Sequence, residues 1–181
     1  MNFTKTKLAG VYIIEPIVFG DHRGFFMETW SAQKFEAAGL FYNFVQDNLS
    51  FSSTKGTLRG LHFQRGEHAQ AKLVHCSRGS VLDVAVDLRP SSATYKQWIS
   101  VELSAENRKC VLIPRGFAHG FVTLTNNVEF RYKADNYYLP EADSGIRWSD
   151  PEIGVNWGVE NPILSQKDKN APLLKDVVTG Y

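Results

Sequence analysis

A central stretch of the chain reads Thr57-Leu58-Arg59-Gly60-Leu61-His62-Phe63-Gln64. Strand alternation predicts that His62 and Gln64 lie on one face and Arg59 on the other. An arginine binds phosphate or carboxylate through its planar fork, and a histidine exchanges a proton near neutral pH. The two side chains can act together only if the strand bends or bulges at Gly60. Without that bend, the stretch describes a core histidine beside a surface arginine.

Short predicted strands separated by turn residues surround this stretch on both sides. Strands with a turn about every dozen residues are typical of a sandwich or a barrel. One helix, 32–38, is predicted in the first half, capped by Ser31 and ended by Gly39. The proline-rich C-terminal part is predicted to be a wrapped tail with one or two short helices. The predicted strands are 8–19, 25–30, 41–45, 56–64, 71–76, 81–88, 95–103, 109–113, 118–124 and 128–132.

The composition is that of an ordinary globular protein. Of 181 residues, 43% are hydrophobic and 22% are charged, which predicts one folded domain over residues 1–181. The net charge of +1 gives no reason to expect nucleic acid or an anionic membrane as a partner. The N-terminus lacks the apolar core of a signal peptide, and no apolar run reaches ~18 residues. We therefore expect a cytoplasmic protein in which Cys76 and Cys110 are buried thiols, with a disulfide between them as the alternative.

The segment 81–88 alternates between an apolar face and a face that carries two acids. Asp83 and Asp87 share a face with Val81 and Ala85. If the fold is a sandwich with one wet side, that face is simply exposed to solvent. In a small barrel one face of each strand points into the lumen, and acids there indicate a site rather than a core.

Lys72 and Tyr132 are two further polar groups on otherwise apolar strand faces. Lys72 alternates with Val74 and Cys76, so it either extends along the apolar surface to water or pairs with an acid such as Asp83. Tyr132 ends a mostly apolar face. Taken alone, it is most simply a core tyrosine.

The turn Pro114-Arg115-Gly116-Phe117-Ala118-His119 resembles the second motif of the cupin superfamily. The resemblance implies an all-β, cupin-type jelly-roll barrel of two antiparallel sheets with a few short peripheral helices. Cupins usually bind a divalent metal through two histidines one residue apart and a glutamate. At the matching places this chain has His62, Gln64 and Lys72, and an ammonium group beside a metal ion is unfavourable. We therefore predict no metal site.

Five segments occur in an order and spacing that resemble the dTDP-4-dehydrorhamnose 3,5-epimerase family. They are 23–30, 46–48, 58–64, 114–121 and 132–138, and the resemblance extends from about residue 3 to about residue 174. It implies an isomerase of nucleotide-sugar metabolism that requires no cofactor. The implied reaction inverts two carbons of dTDP-4-dehydro-6-deoxy-D-glucose to give dTDP-4-dehydro-L-rhamnose.

The resemblance also implies roles for individual residues. His62 would be the general base, and Asp168 would orient its ring. Tyr132 would be the general acid on the opposite face of the sugar, and Lys72 would stabilise the enolate oxygen. Arg59 and His119 would hold the diphosphate and sugar. Gln46 and Asn48 would hold the nucleotide, together with Arg23 and Glu28 reaching over from the partner subunit of a homodimer. Tyr138 would stack on the thymine, and Asp143 and Lys167 are the remaining implied substrate contacts. The family usually has a glutamate near Asp143, so contact there is expected to be lost or bridged by water.

These residue types fit the chemistry independently of the family. A proton beside a ketone is weakly acidic because the resulting carbanion is delocalised onto the carbonyl oxygen. The reaction needs a base near the carbon and a cation near the oxygen, and inversion needs an acid on the other face. Three alternatives remain open: a relative that inverts one carbon or isomerises the keto sugar, a metal-dependent cupin oxygenase, and a sugar-binding jelly roll without catalysis.

Overall fold

The computed structural model describes residues 1–181 and consists mainly of antiparallel β-strands. A six-stranded sheet faces a five-stranded sheet, and a separate two-stranded hairpin, β3–β4, lies outside both. The short helices are α1 (Ala32–Ala37) and α2 (Gln166–Lys169), with 3₁₀ turns at Gly66–His68 and Leu174–Asp176. The strands are β1 (Asn2–Lys5), β2 (Tyr12–Glu15), β3 (Val18–Asp21), β4 (Gly24–Met27), β5 (Gln46–Ser52), β6 (Leu58–Gln64), β7 (Lys72–Arg78), β8 (Ser80–Asp87), β9 (Trp98–Ser104), β10 (Cys110–Ile113), β11 (Phe117–Thr123), β12 (Val128–Ala134) and β13 (Asp143–Gly145).

The chain crosses repeatedly between the two sheets. The order is β1-β2-β10-β7-β12-β5 in the larger sheet and β13-β6-β11-β8-β9 in the smaller. Consecutive strands such as β5 and β6, or β11 and β12, therefore belong to opposite sheets. This arrangement confirms the predicted all-β, two-sheet barrel, and it places side chains from distant parts of the sequence on facing walls.

Three hydrophobic clusters hold the layers together. The first packs between the inner faces and includes Val74 and Phe130 of the larger sheet and Phe121 of the smaller. The second lies where the C-terminal tail, through residues such as Trp157, covers the outer face of the smaller sheet. The third joins Phe35 of α1 to part of the outer face of the larger sheet. The predicted wrapped tail and the predicted helix are both confirmed.

A bulge in β6 decides which side chains enter the barrel. Where β6 pairs with β11, His62 lies opposite His119 and Arg59 lies opposite Phe121, so the register shifts by one residue between them. The shift places Arg59 and His62 on the same inner side, while Leu58 and Leu61 join the outer cluster. The bend predicted at Gly60 is therefore confirmed.

Several predicted elements differ from the structure. Residues 41–45 form no strand; the rings of Tyr42 and Phe44 stack with their centroids 5.8 Å apart, and Phe44 packs beside Trp30. The predicted strand 8–19 is two strands, β2 and β3, which are separated at Pro16. Strands β1 and β13 were not predicted. The α1 cap is also different, because the Ser31 side chain makes no capping hydrogen bond.

Both cysteines are buried thiols, and all the helices are short. Cys76 and Cys110 are free and buried, as predicted. Burial raises the pKa of the Cys76 thiol to about 11 and that of Cys110 to about 12. Both thiols are therefore protonated near neutral pH. None of the helices has the length and apolar character needed to cross a membrane.

Candidate active site

A polar cavity of about 320 Å³ opens between the inner faces of the two sheets. Both sheets and the C-terminal helix α2 contribute side chains to it. The polar residues that line it are Ser50, Arg59, His62, Lys72, His119, Tyr132, Ser165, Lys167 and Asp168. The structure thus brings together seven of the predicted site residues in one cavity.

His62 is held by a carboxylate from the far end of the chain. Its Nε2 lies 2.6 Å from Oδ1 of Asp168, and Asp168 is itself buried. Burial would raise the pKa of Asp168, but hydrogen bonds from His62 and Ser165 outweigh that effect and lower the pKa below its usual value. The carboxylate therefore accepts the Nε2–H of His62, which leaves Nδ1 as the basic nitrogen of the ring.

Ser165 fixes Asp168 at the start of α2. The Ser165 hydroxyl donates to Oδ2 of Asp168 at 2.8 Å, and the backbone N–H of Asp168 donates back to that hydroxyl at 3.1 Å. Sequence reasoning missed Ser165. The Ser-x-x-Asp spacing of 165–168 is a helix N-terminal signature that could have identified it.

Lys72 carries a strongly perturbed ammonium group inside the barrel. Burial lowers its pKa to about 8, and the charges of Asp143 and Asp83 only partly offset that effect. Its Nζ lies 5.6 Å from the centroid of the Tyr132 ring. Lys72 forms no direct ion pair with Asp83, so it is a cation held in the cavity without a carboxylate bound to it.

Tyr132 enters the cavity from the wall opposite His62. Tyr132 is on β12 of the larger sheet, and His62 is on β6 of the smaller. Burial raises the pKa of the Tyr132 phenol, and the charge of Asp143 adds to the shift. The phenol therefore keeps its proton near neutral pH and can donate it.

Arg59 and His119 provide further groups that can bind an anion. Arg59 Nε donates to Ser52 Oγ at 3.3 Å, and its Nη2 donates to the carbonyl oxygen of Phe51 at 3.2 Å. These bonds join the guanidinium of β6 to the edge strand β5. His119 Nε2 lies 2.7 Å from Oδ2 of Asp83. The acid expected inside the lumen is therefore present, although its pairing with His119 was not foreseen.

Gln46 and Asn48 lie on the inner side of β5, beyond the cavity. Gln46 Nε2 donates to Asn48 Oδ1 at 3.0 Å, and Gln46 Oε1 accepts the backbone N–H of Tyr138 at 3.1 Å. Asn48 Nδ2 is buried without a hydrogen-bond partner. An orphaned buried amide donor of this kind can accommodate an acceptor group of a ligand.

Tyr138, Asp143 and Lys167 form a hydrogen-bonded group at the rim. The Tyr138 hydroxyl donates to Asp143 Oδ2 at 3.1 Å, and the ammonium group of Lys167 pairs with the same oxygen. Gln64 supports the loop that carries Tyr138, because its side chain bonds the backbone of Tyr137 and Leu139. Gln64 is therefore a structural residue that the sequence analysis had placed at a metal-ligand position.

Arg23 and Glu28 do not line the cavity. Arg23 is at the tip of the β3–β4 hairpin and pairs with Asp21 at 2.5 Å, while Glu28 pairs with Lys34 of α1 at 2.8 Å. Within one chain the structure therefore separates these two predicted nucleotide contacts from the other site residues. No group of three or more His, Cys, Asp or Glu side chains has an arrangement that could hold a metal ion.

Known proteins resemble this chain along nearly its whole length. A family model described as dTDP-4-dehydrorhamnose 3,5-epimerase matches residues 5–176. The dTDP-4-dehydrorhamnose 3,5-epimerase of Salmonella typhimurium is 56% identical over 176 residues, which covers 96% of each chain. The dTDP-4-dehydrorhamnose 3-epimerase of Streptomyces niveus is less similar, at 36% identity over 97% of this chain and 85% of the other.

Solved structures give the same result for the fold. The Bacillus anthracis dTDP-4-dehydrorhamnose 3,5-epimerase with TDP and PPi bound has a TM-score of 0.94 at 46% identity, covering 96% of this chain and 99% of that one. A Legionella pneumophila dTDP-6-deoxy-D-glucose-3,5-epimerase in complex with dTDP-4-keto-L-rhamnose has a TM-score of 0.93 at 44% identity, covering 98% and 94%. The range that the family model matches, residues 5–176, includes every strand that contributes to the cavity.

Proposed function

This chain belongs to the dTDP-4-dehydrorhamnose 3,5-epimerase family, and we propose that the cavity described above is its catalytic site. The protein is an isomerase with the cupin-type jelly-roll fold. Its substrate is dTDP-4-dehydro-6-deoxy-D-glucose, and its product is dTDP-4-dehydro-L-rhamnose. Residues 1–181 act as one catalytic domain, and no cofactor takes part.

The proposal depends above all on one observation: His62 and Tyr132 extend from opposite sheets into the same cavity. Inversion of a carbon requires that a proton leaves one face of the sugar and arrives on the other. A base and an acid on facing walls can do this without moving the sugar between the two events. A binding module has no need for such a pair.

His62 removes the proton beside the C4 ketone. Its Nδ1 is the free nitrogen, because Nε2 is bound to Asp168. As the ring takes the second proton, the buried carboxylate of Asp168 stabilises the imidazolium. The electron pair of the broken C–H bond moves onto the ketone oxygen, which becomes an enolate.

Lys72 stabilises this enolate. A buried ammonium without a bound carboxylate interacts more strongly with a new negative charge than an exposed one does. Tyr132 then donates its proton to the opposite face of the carbon, and the ketone is restored. Once solvent has returned a proton to Tyr132 and taken the one from His62, the same sequence at the second carbon completes inversion at C3 and C5 and gives the L-configured product.

The nucleotide part of the substrate binds beyond the reacting carbons. Arg59 and His119 contact the diphosphate, while Gln46, Asn48 and Tyr138 contact the nucleotide. Lys167 contacts the sugar or diphosphate at the rim, and Asp143, which already pairs with Lys167, contacts the substrate through water. Binding energy from these remote contacts positions the sugar between base and acid.

A homodimer would complete this site. Leu49 and Phe51 on the outer side of β5 are 56% and 50% exposed, and Phe26 of the hairpin is 70% exposed. Large exposed apolar side chains such as these are ones that an interface between protomers would cover. We infer that two protomers associate through the outer side of the larger sheet, and that Arg23 and Glu28 of each hairpin reach the nucleotide site of the other protomer.

The main alternative is a relative that inverts only one carbon. The closer similarity to the Salmonella typhimurium 3,5-epimerase than to the Streptomyces niveus 3-epimerase supports inversion at both carbons. Incubation with the dTDP-4-keto sugar in deuterated water, followed by NMR, tests the choice. Deuterium at C3 and C5 with L-configured product supports the proposal, and deuterium at C3 alone supports the alternative.

The same experiment tests for a binding protein without catalysis, and metal analysis with chelator treatment tests for an oxygenase. A sugar-binding jelly roll would incorporate no deuterium. A metal-dependent oxygenase would lose its activity in chelator and would contain stoichiometric metal, and we expect neither result. A cytoplasmic location stays a prediction, which cell fractionation would check.

A further inference from the structure

Asp83 is a buried carboxylate that the proposed catalytic steps leave without a role. It is 2% exposed and lies on β8, where its cross-strand neighbours are Phe121 of β11 and Val101 of β9. Its hydrogen-bond partner is Nε2 of His119 at 2.7 Å. A carboxylate among apolar side chains is costly unless a positive group compensates it. His119 is the side chain in contact that can do so.

The His119 ring is fixed in one orientation between Asp83 and the cavity. The Phe130 ring lies beside it, with the centroids 6.0 Å apart and the planes 20° apart. His119 lines the cavity, and its Nε2 is already bound to Asp83. Its Nδ1 makes no hydrogen bond within the chain and yet is not a fully buried atom, so it is the ring nitrogen that a ligand in the cavity can reach. Any polar contact between His119 and a ligand must therefore be made by Nδ1.

We propose that Asp83 is a positioning residue that keeps His119 doubly protonated, so that the Nδ1–H of His119 donates to an anionic oxygen of a nucleoside diphosphate. This inference rests on the proposed function, in which His119 contacts the diphosphate. A neutral ring that gives its one N–H to Asp83 would present a bare Nδ1 lone pair to a phosphate oxygen, which is repulsive. With the Asp83 charge beside it, the ring can carry both protons and make a charge-assisted bond.

The other charged and titratable groups of the cavity act on the same ring. Both cationic and anionic side chains surround the ring in the cavity. These groups are His62 and Arg59 of β6, Lys72 of β7, Tyr132 of β12, and Lys167 and Asp168 of α2. A bound diphosphate adds negative charge beside them, so the doubly protonated ring is expected in the complex with dTDP.

The direct test is nitrogen NMR of the wild-type protein with labelled histidine. The chain has five histidines, so the His119 signals can be assigned from the spectrum of one His119→Gln variant. With dTDP bound, both ring nitrogens of His119 should carry protons. In the dTDP complex of Asp83→Asn, the ring should be neutral, with a proton on only one of its two nitrogens. A bare Nδ1 in the wild-type complex would overturn the proposal, and this part of the test does not require Asp83→Asn to fold.

Kinetics give a second, independent readout. Asp83→Asn should raise KM and the Kd of dTDP by about tenfold, the effect of one charge-assisted hydrogen bond, and kcat should stay within about threefold. The matched control is Asp87→Asn, which removes a fully buried carboxylate from the same strand. Asp87 bonds Arg89, Ser92 and Thr94 and lies outside the cavity.

The control variant should lower the melting temperature without changing KM. If Asp83→Asn also changes only stability, Asp83 is merely structural and the proposal fails. Failure of the proposed function would be distinguishable, since a protein without epimerase activity could still show the His119 signature with dTDP. Normal turnover together with a bare Nδ1 would overturn this inference alone.

Discussion

Gly60 and Gly120 approach each other so closely that a Cβ on Gly60 would lie 2.5 Å from the Cα of Gly120. Gly60 also has φ +131°, which L side chains rarely adopt. The contact lies inside the β6 bulge that places Arg59 and His62 on one side of the strand. The proposed catalytic arrangement thus depends on a backbone approach that a side chain would prevent.

Gly60→Ala should therefore damage stability and activity together. The added carbon overlaps backbone atoms, which cannot move as a flexible side chain can, so we expect a loss of roughly 2–4 kcal/mol of unfolding free energy. Gly56→Ala is the control, since Gly56 has φ +82° and nothing within 4 Å of the added carbon. It should cost only about 1 kcal/mol and leave kcat unchanged. Denaturant unfolding measures the loss of stability, and turnover measures the loss of activity. Equal losses in Gly60→Ala and Gly56→Ala would show that the close approach is unimportant.

The base is tested by His62→Ala. Deuterium exchange at both sugar carbons should fall by at least ~10²–10⁴-fold, because no other group takes the proton, while dTDP binding should change little. Asp168→Ala should lose less activity, because Asp168 orients the ring but does not itself remove the proton. His68→Ala, at an exposed 3₁₀ turn, is the control and should behave as wild type. Substantial exchange by His62→Ala would assign the base elsewhere.

Lys72 predicts an alkaline limit to activity. Its pKa of about 8 in the free enzyme means that the ammonium is lost as the pH rises through that value. Because only the charged form stabilises the enolate, kcat/KM should fall above about pH 8. Lys72→Arg keeps the charge at all these pH values but not the geometry. The variant should be slower, and its kcat/KM should not fall above about pH 8. If the same fall remains in Lys72→Arg, another group is responsible for it.

The shared site predicts a dimer whose nucleotide binding depends on the hairpin. Light scattering at micromolar concentration should give twice the mass of one chain. Arg23→Ala should weaken dTDP binding by about tenfold, the loss of one charge-assisted bond, without dissociating the dimer. Lys55→Ala removes an exposed cation from a turn outside the site and should have no effect. A monomer with wild-type affinity for dTDP would contradict the shared site.

Features that depend on neighbouring residues could be predicted from the sequence, and features that depend on contacts between distant residues could not. The inward position of Lys72, Asp83 and Tyr132 follows from strand alternation, which is a local property. Strand β13 could not be predicted, because Asp-Ser-Gly has little β propensity and becomes a strand only by pairing with the exposed edge of β6. The partnership of His119 with Asp83 also required the structure, since it joins two strands at a register that no local pattern determines.

The opposite-face acid is tested by removing one oxygen. Tyr132→Phe keeps the ring, which packs against the inner cluster and lies beside the Lys72 ammonium, so the variant should fold and bind dTDP normally. His62 would still remove a proton and return one from solvent to the same face, so deuterium should continue to enter the substrate. Formation of the L-configured product should fall by the ~10²–10⁴-fold typical of a lost general acid.

Tyr42→Phe is the matched control for that variant. Tyr42 is also a phenol whose pKa is raised by burial, but it packs beside Trp30 and Phe44 outside the cavity. Its removal should leave both deuterium exchange and product formation unchanged. If Tyr132→Phe shows deuterium exchange without inversion and Tyr42→Phe does not, proton removal and proton delivery are separate steps made by different groups. Inverted product at the wild-type rate would mean that Tyr132 is a packing residue and that water or another group protonates the far face.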